Sequence, residues 1–446
     1  MAVLSPLPSL QDLNLTFHQT TLVFPSKETE KRSIFLSNSD HFFNENVRTA
    51  HFFKANPDYS PENVAARLKN ALEKVLVPYD FIAGRLKMNH KVGRLELDCN
   101  VAGAGFVVAS TDASLDEIGD FIVHPNLGFR QLAVQKIDGL AGEVEQPIFV
   151  VQLTSFKCGG FAIGMSMNHI LFDGMGAKLF VENLASQAFD DDKPLAVIPC
   201  KDRSLLAARS PPVVAFPHRE FLDLNDLHAS TPPPSNGNQT RLEYKIFKLS
   251  AAQILQLKSR AKNSDNPAAR ISSFAVMAAL VWQCKAFSDN KDRAKDKVST
   301  LVHIINIRER VDPPLPMSYS ANAVLPMGVS ATHDELENGP FGKLVEMITE
   351  GAKEMTDEYA KSAIDWLEGR RGVPHGDYIV ISWMRLGFDR VEYPWGKAMY
   401  SCPLVYERRE ISLIFPDAMD GGVGAMVALP AEQMERFEAR FRKFFE

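Results

Sequence analysis

Apolar positions recur along this chain with two different periods, and the period switches repeatedly from end to end. Over residues 61 to 76, PENVAARLKNALEKVL, Val64, Leu68, Leu72 and Val75/Leu76 fall on one stripe and predict an amphipathic helix. Pro61 and Glu62 suit its first turn. RLELDC (94 to 99) alternates apolar and polar residues, as a half-buried strand does. IFVVQLT (148 to 154) and FAIGMSM (161 to 167) predict two strands, and Lys157-Cys158-Gly159-Gly160 between them is a turn, so the pair reads as a hairpin. LEYKIFKLS (242 to 250) predicts a further strand, followed by helices from Ala251 to Ala261 and from Ser272 to Phe287. The end repeats this logic with EISLIF (410 to 415), GAMVALP (424 to 430) and a helix over AEQMERFEARFRKFF.

One long stretch breaks the pattern. From Asp191 to Asn238 the chain carries Pro194, Pro199, Pro211, Pro212, Pro217 and the run Pro232-Pro233-Pro234. Segments this long and this rich in proline bridge domains. The expectation is an α+β protein: a first domain over 1–190, a crossover linker over 191–240 and a second domain over 241–446. No fixed-period repeat or low-complexity tract interrupts it.

Composition narrows the function classes. With 49 Lys+Arg against 55 Asp+Glu, the net charge is -6, which gives no footprint for nucleic acid. No apolar run approaches the ~18 residues of a membrane span. The cysteines, Cys99, Cys158, Cys200, Cys284 and Cys402, are odd in number, widely spaced and without a C-x-x-C pair. That argues against a disulfide framework and a zinc ribbon. The start, MAVLSPLPSLQDLNLTF, does not read as a signal peptide. The expectation is a cytoplasmic, soluble monomer with no bound metal.

Candidate chemistry concentrates in Ser166-Met167-Asn168-His169-Ile170-Leu171-Phe172-Asp173-Gly174. In the strand before it, Phe161, Ile163, Met165 and Met167 share one face, and Ala162, Gly164, Ser166 and Asn168 share a small, polar one. A face of small residues leaves room for something to pass close to the backbone. His169 ends that strand beside a tight turn, and a neutral imidazole accepts a proton near pH 7. With 11 histidines in the chain, a bare H-x-x-x-D match also arises by chance, and a satisfied core histidine is the competing reading. Gly164-Met165-Ser166-Met167-Asn168 lacks the last glycine of a nucleophile elbow, and Gly174-Met175-Gly176 lacks the third glycine of a dinucleotide fingerprint. Lys258, Arg260 and Lys262 form either a solvated basic helix face or a contact for phosphates. Ser272 and Ser273 suit a helix cap, with coenzyme contact as the other option.

His169 to Gly174 resembles the H-x-x-x-D-G signature of the plant BAHD acyltransferases, which move acyl groups from coenzyme A thioesters to hydroxyls or amines. Glu392-Tyr393-Pro394-Trp395-Gly396-Lys397 stands where that family carries D-F-G-W-G-K. PYDFIAGRL (78 to 86), RLELDCNVAGAGFV (94 to 107), FKCGGFAIG (156 to 164), DRSLLAARSPP (202 to 212) and ISWMRL (381 to 386) are similar to its hydroxycinnamoyl transferase branch. The resemblance implies two similar acyltransferase-like domains, each a mixed sheet flanked by helices, with a channel between them. It implies His169 as general base and acyl-CoA as co-substrate rather than a resident cofactor. A hydroxylated small molecule would be the acceptor.

The resemblance also implies Trp383 as a neighbour of the intermediate. Asp173 would pair with Arg308 and order the loop with Gly174, and Glu392 is a rival partner for Arg308. Trp395 and Gly396 would be structural. Ile381 replaces a threonine of the branch, and Arg370 and Arg371 lie near the place of an arginine that grips shikimate. The altered motif from Glu392 to Gly396 leaves a second reading, a catalytically silent accessory protein.

Overall fold

A computed structural model describes residues 12–445, apart from 119–126, 141, 143–144, 190–192, 228–241, 263–269, 290–293, 371, 405–407 and 418–420. Pro232-Pro233-Pro234, Arg371 and both ends of the expected crossover therefore lie outside the described residues. Two six-stranded sheets organise the molecule. The first runs in the order Thr16–Val23, Ala104–Thr111, Phe149–Phe156, Phe161–Asn168, Asn46–Phe53 and Tyr400–Pro403. The second runs Leu242–Leu249, Val423–Pro430, Ile411–Pro416, Tyr378–Ser382, Val298–Asn306 and Val324–Thr332. Both are mixed: Ala104–Thr111 and Phe149–Phe156 are parallel in the first, and Tyr378–Ser382 is parallel to both its neighbours in the second. The expected hairpin forms, with Phe149 opposite Met167 and Ser155 opposite Phe161.

Helices cover the sheets as the stripes require. Pro61–Val75 buries Val64, Leu68, Leu72 and Val75 beside Gly174–Gln187 in the first core. Ser60 caps its start, and Pro61 occupies the position where a missing N–H costs nothing. Ser273–Ala286 is buried all round from Ala275 to Ala286. It lies against the helices Ala251–Ala261, Phe341–Glu354 and Ala431–Lys443, so no polar face is needed. No described helix is long and apolar enough to cross a membrane.

Three features depart from the expectations. The second half of the chain returns to the first sheet, where Tyr400–Pro403 pairs with Asn46–Phe53. Leu386, Phe388, Val391, Tyr393, Trp395 and Ala398 enter the first core with it. The boundary at 241 therefore does not divide the two sheets. The described part of the crossover, 193–227, is also no free linker. Its Val213 amide donates to Asp365 and its Ala215 amide to Ser362, on the helix Asp357–Leu367. Arg209 adds an ion pair to Asp365. Side chains here satisfy the backbone that secondary structure leaves unpaired.

The third departure concerns the small face of Phe161–Asn168. Ala162 sits in a core with Leu132 and Phe129, and a methyl at Gly164 would overlap the Leu132 carbonyl oxygen. The chain itself, in the turn Leu127–Leu132, occupies the room that the small residues leave. The strand's other face, through Met165 and Met167, reaches the cavity described below. Gly164→Ala is therefore expected to destabilise the fold by about 1–3 kcal/mol, because the neighbour is backbone and cannot rotate away. A denaturant midpoint equal to that of the parent protein would contradict this packing.

Candidate active site

Residue 169 follows the last position of the strand Phe161–Asn168. Its amide donates to the Glu45 carbonyl at 2.8 Å, and the Asn168 side chain takes the Ile170 amide at 3.0 Å. Four residues on, Asp173 caps the helix Gly174–Gln187 by accepting from the Gly176 amide at 2.9 Å. The two ends of the motif thus belong to different elements, and their side chains turn to different partners.

Asp173 faces Arg308. The guanidinium donates to both carboxylate oxygens, at 2.7 and 2.9 Å, and the Ala323 amide adds a third contact at 3.0 Å. Arg308 also donates to the carbonyls of Tyr319 and Ala321. Burial raises the Asp173 carboxyl, but Arg308 and the amides of Ala323 and Gly176 outweigh it, so the group lies below its ordinary value and stays ionised. Glu392 is not a partner of Arg308. It is exposed and stands 3.7 Å from Lys397.

His169 faces Asn322, which the sequence reading did not single out. The Asn322 amide nitrogen donates to Asp40 at 2.9 Å, to the His169 carbonyl at 2.9 Å and to the Ile170 carbonyl at 3.2 Å. With its N–H groups so committed, its oxygen meets His169 Nδ1 at 3.1 Å. That network assigns the proton to Nδ1 and leaves Nε2 with its lone pair. Asp40 is itself fixed by Arg203 at 2.6 Å, both side chains being buried, and Arg203 donates to the carbonyls of Ile170 and Leu171. Phe43 stacks on the imidazole with ring centres 4.3 Å apart. Burial pulls His169 below its ordinary 6.5, and Asp173, Glu45 and Asn322 restore only part of the shift.

The half-buried His169 ring lines a cavity of about 580 Å³. Met165, Met167, Thr49 and His51 contribute to its wall from the first sheet, and Ile304, Ile381 and Ser382 from the second. Trp383, Phe274, Leu386 and Phe388 complete a largely apolar lining. This is the size and character of a small-molecule site. His51 is pulled down to about 4 by burial and is tied to Thr49 and Ser401.

The remaining expected residues separate clearly. Trp383 lies in the cavity wall and packs edge-on to Phe388. Ser272 caps the helix Ser273–Ala286, and both Ser272 and Ser273 also line the cavity. Lys258 does not reach it; the helix Ala251–Ala261 packs elsewhere, and its Arg260 donates to the Phe444 carbonyl. Gly174 packs against Leu386, where a methyl would come within 2.9 Å.

Glu392–Tyr393 and Gly396–Lys397 form a tight hairpin. Trp395 in its turn is 4% exposed and stacks with Tyr393, edge-on to Phe53 and Phe161. Gly396 has φ +110, a conformation L side chains rarely adopt. None of these hairpin residues is in the cavity wall. Arg370 donates to the Trp366 carbonyl and is likewise outside it.

His169 thus stands in the wall of a cavity that two mixed sheets line together. In comparison with known proteins, the model described as Transferase family matches residues 13–444. The chain belongs to this family and is a BAHD acyltransferase. It is 48% identical to acyltransferase GLAUCE of Arabidopsis thaliana, over 98% of this chain and 97% of that protein. It is 32% identical to omega-hydroxypalmitate O-feruloyl transferase of Arabidopsis thaliana, over 96% of this chain and 93% of the relative. Among solved structures it resembles vinorine synthase, with TM-score 0.74 and 21% identity over 95% of this chain and 96% of that one.

Three outcomes are expected from the geometry. Asp173→Ala removes the helix cap and leaves Arg308 buried without its carboxylate, so it should cost about 3–5 kcal/mol of stability in denaturant unfolding. Loss of all turnover at an unchanged melting temperature would refute this structural role. With His169 as the proposed base and burial lowering it from 6.5, the rate should rise with pH through a limb centred below that value. Asn322→Ala should lower kcat about tenfold or more with a smaller change in KM, since it frees Nδ1 and lets the ring turn. Unchanged kcat, or an acid limb above 6.5, would contradict the assignment.

Proposed function

We propose that this acyltransferase moves a hydroxycinnamoyl group (p-coumaroyl, caffeoyl or feruloyl) from coenzyme A to an alcohol in a ternary complex. The observation that carries the reading is the His169 ring in the cavity wall, its Nδ1 committed to Asn322. Nε2 takes the proton of the acceptor hydroxyl as its oxygen attacks the thioester carbonyl. The tetrahedral intermediate then collapses, the carbon–sulfur bond breaks and the imidazolium returns its proton to the leaving thiolate. No acyl-enzyme is needed, because the hydroxyl itself is the nucleophile. Trp383 stands beside the reacting carbonyl in this reading. Ser272 and Ser273 lie at the positive end of a long helix, where the donor passes.

The acyl group follows from the aromatic lining and from relatives such as the hydroxycinnamoyltransferase of Narcissus pseudonarcissus, 31% identical over 95% of this chain. The acceptor is best taken as an alcohol with an apolar body. Arg370, the described candidate for gripping a carboxylate, is turned to Trp366. Among the lining carboxylates and cations, Asp173 is paired with Arg308, Glu45 with Arg408, Arg310 donates to the carbonyls of Ala352 and Met355, and Arg385 is solvent-exposed. A silent accessory role rested on the altered Glu392-to-Gly396 motif. That hairpin packs into the first core, so its alteration does not touch the cavity.

The test is to incubate the protein with hydroxycinnamoyl- and aliphatic acyl-CoAs and follow thiol release with and without long-chain alcohols. Release that requires alcohol and disappears in His169→Ala is expected. Absence of release with every donor would favour the accessory role, and release without alcohol would indicate a hydrolase.

A further inference from the structure

We propose that His303 is a specificity-determining residue: its imidazole hydrogen-bonds the phenolic hydroxyl at the far end of the acyl group. The proposal rests on the hydroxycinnamoyl reading above and adds to it a named contact that separates hydroxylated from unhydroxylated rings.

His303 lies on Val298–Asn306 and is 2% exposed, yet its ring belongs to the cavity wall. Its Nε2 is buried and has no hydrogen-bond partner among the described residues. The neighbours explain why. Its cross-strand partners are Met327 and Val380, which carry no hydrogen-bonding side chain apart from a weakly accepting thioether. The facing helix presents Gly351, where even a methyl would stand 3.8 Å from Nε2. Phe274 lies roughly parallel to the ring at 6.3 Å between centres. Most packed sides of this imidazole are apolar, with Arg310 close by; as placed, Nε2 exposes no surface and lies beside Gly351, so it reaches a ligand in the adjoining cavity only after the ring turns.

A buried polar atom without a partner calls for a specific cause, and a bound substrate is one. The imidazole is neutral, because burial and the nearby Arg310 bring it down to about 4. A neutral ring presents one donor and one acceptor nitrogen, and a half-turn about its Cβ–Cγ bond exchanges nitrogen and carbon positions without changing its shape. A phenol both donates and accepts, so it satisfies either tautomer. Its ring also suits the face of Phe274. The Arg310 charge, held by the Ala352 and Met355 carbonyls, disfavours a cationic ligand here.

The experiment compares kcat/KM for p-coumaroyl-CoA and cinnamoyl-CoA, which differ by one hydroxyl, in the parent protein, His303→Leu and His303→Gln. A hexanoyl-CoA arm is run beside them. The expected result is about a tenfold preference or more for p-coumaroyl-CoA in the parent protein, the size one buried neutral hydrogen bond allows. That preference should collapse toward unity in His303→Leu and be partly kept in His303→Gln. A parent preference near unity overturns the proposal even if neither variant folds. So does a preference that survives in folded His303→Leu, and in either case transfer of both aromatic groups leaves the hydroxycinnamoyl reading standing. Turnover of hexanoyl-CoA alone overturns both together.

Discussion

The buried pair between Asp173 and Arg308 is the constraint on which the site depends. Asp173 starts a helix of the first lobe, and Arg308 follows the strand Val298–Asn306 of the second sheet. One bidentate contact therefore caps a helix and fixes the two lobes across the cavity. The same guanidinium gathers the carbonyls of Tyr319 and Ala321, so the segment that delivers Asn322 is held by the pair as well. A second buried pair, Asp40 with Arg203, supports the same segment from the other side through the Asn322 amide. Desolvated ions of this kind add little net stability over an apolar core, but an unmatched partner is costly, which makes the arrangement hard to alter one residue at a time.

That architecture separates two jobs that a triad combines. In a triad the acid holds the histidine and also stabilises its charged form. Here a neutral amide does the holding, and the buried Asp173 is neutralised by Arg308. As the proposed base, His169 is consequently weak: burial pulls it down, and Asp173, Glu45 and Asn322 lift it back only in part. Weakness is compatible with a thioester, whose carbonyl is readily attacked and whose thiolate is a good leaving group. It also favours the unprotonated imidazole near neutrality, the state that the proposed mechanism requires.

The pattern along the chain revealed the fold more fully than the site. Long amphipathic stripes such as 61–76 and the alternating strands around 148–167 are local, and local periodicity survives into the structure. The four-residue strand Tyr400–Pro403 is too short to show alternation, so the return of the chain to the first sheet was hidden. The small face around Gly164 was legible as a place of close approach, but not what approaches it, since Leu132 lies far off in sequence. His169 drew notice through its motif and its strand. Asn322 carries no comparable signal, because it sits in an irregular segment and acquires its role from Asp40, His169 and Ile170, brought together by the lobes.

The crossover shows why such a site can be built between lobes at all. A flexible tether would let the two sheets separate, and a cavity of about 580 Å³ between them would have no fixed shape. Instead the described crossover is bound at both sides: Arg203 grips the turn after His169, and Arg209 with its neighbours is laid along the second lobe's helix Asp357–Leu367. The hairpin that carries Trp395 does the reverse, anchoring second-half chain in the first core. The lobes are thus laced twice, once in each direction. Lacing of this kind lets the cavity wall stay largely apolar, because Arg203, Arg209 and Asp365 satisfy their charges outside it, and Asp173, the lobe-joining acid in the wall, is committed to Arg308.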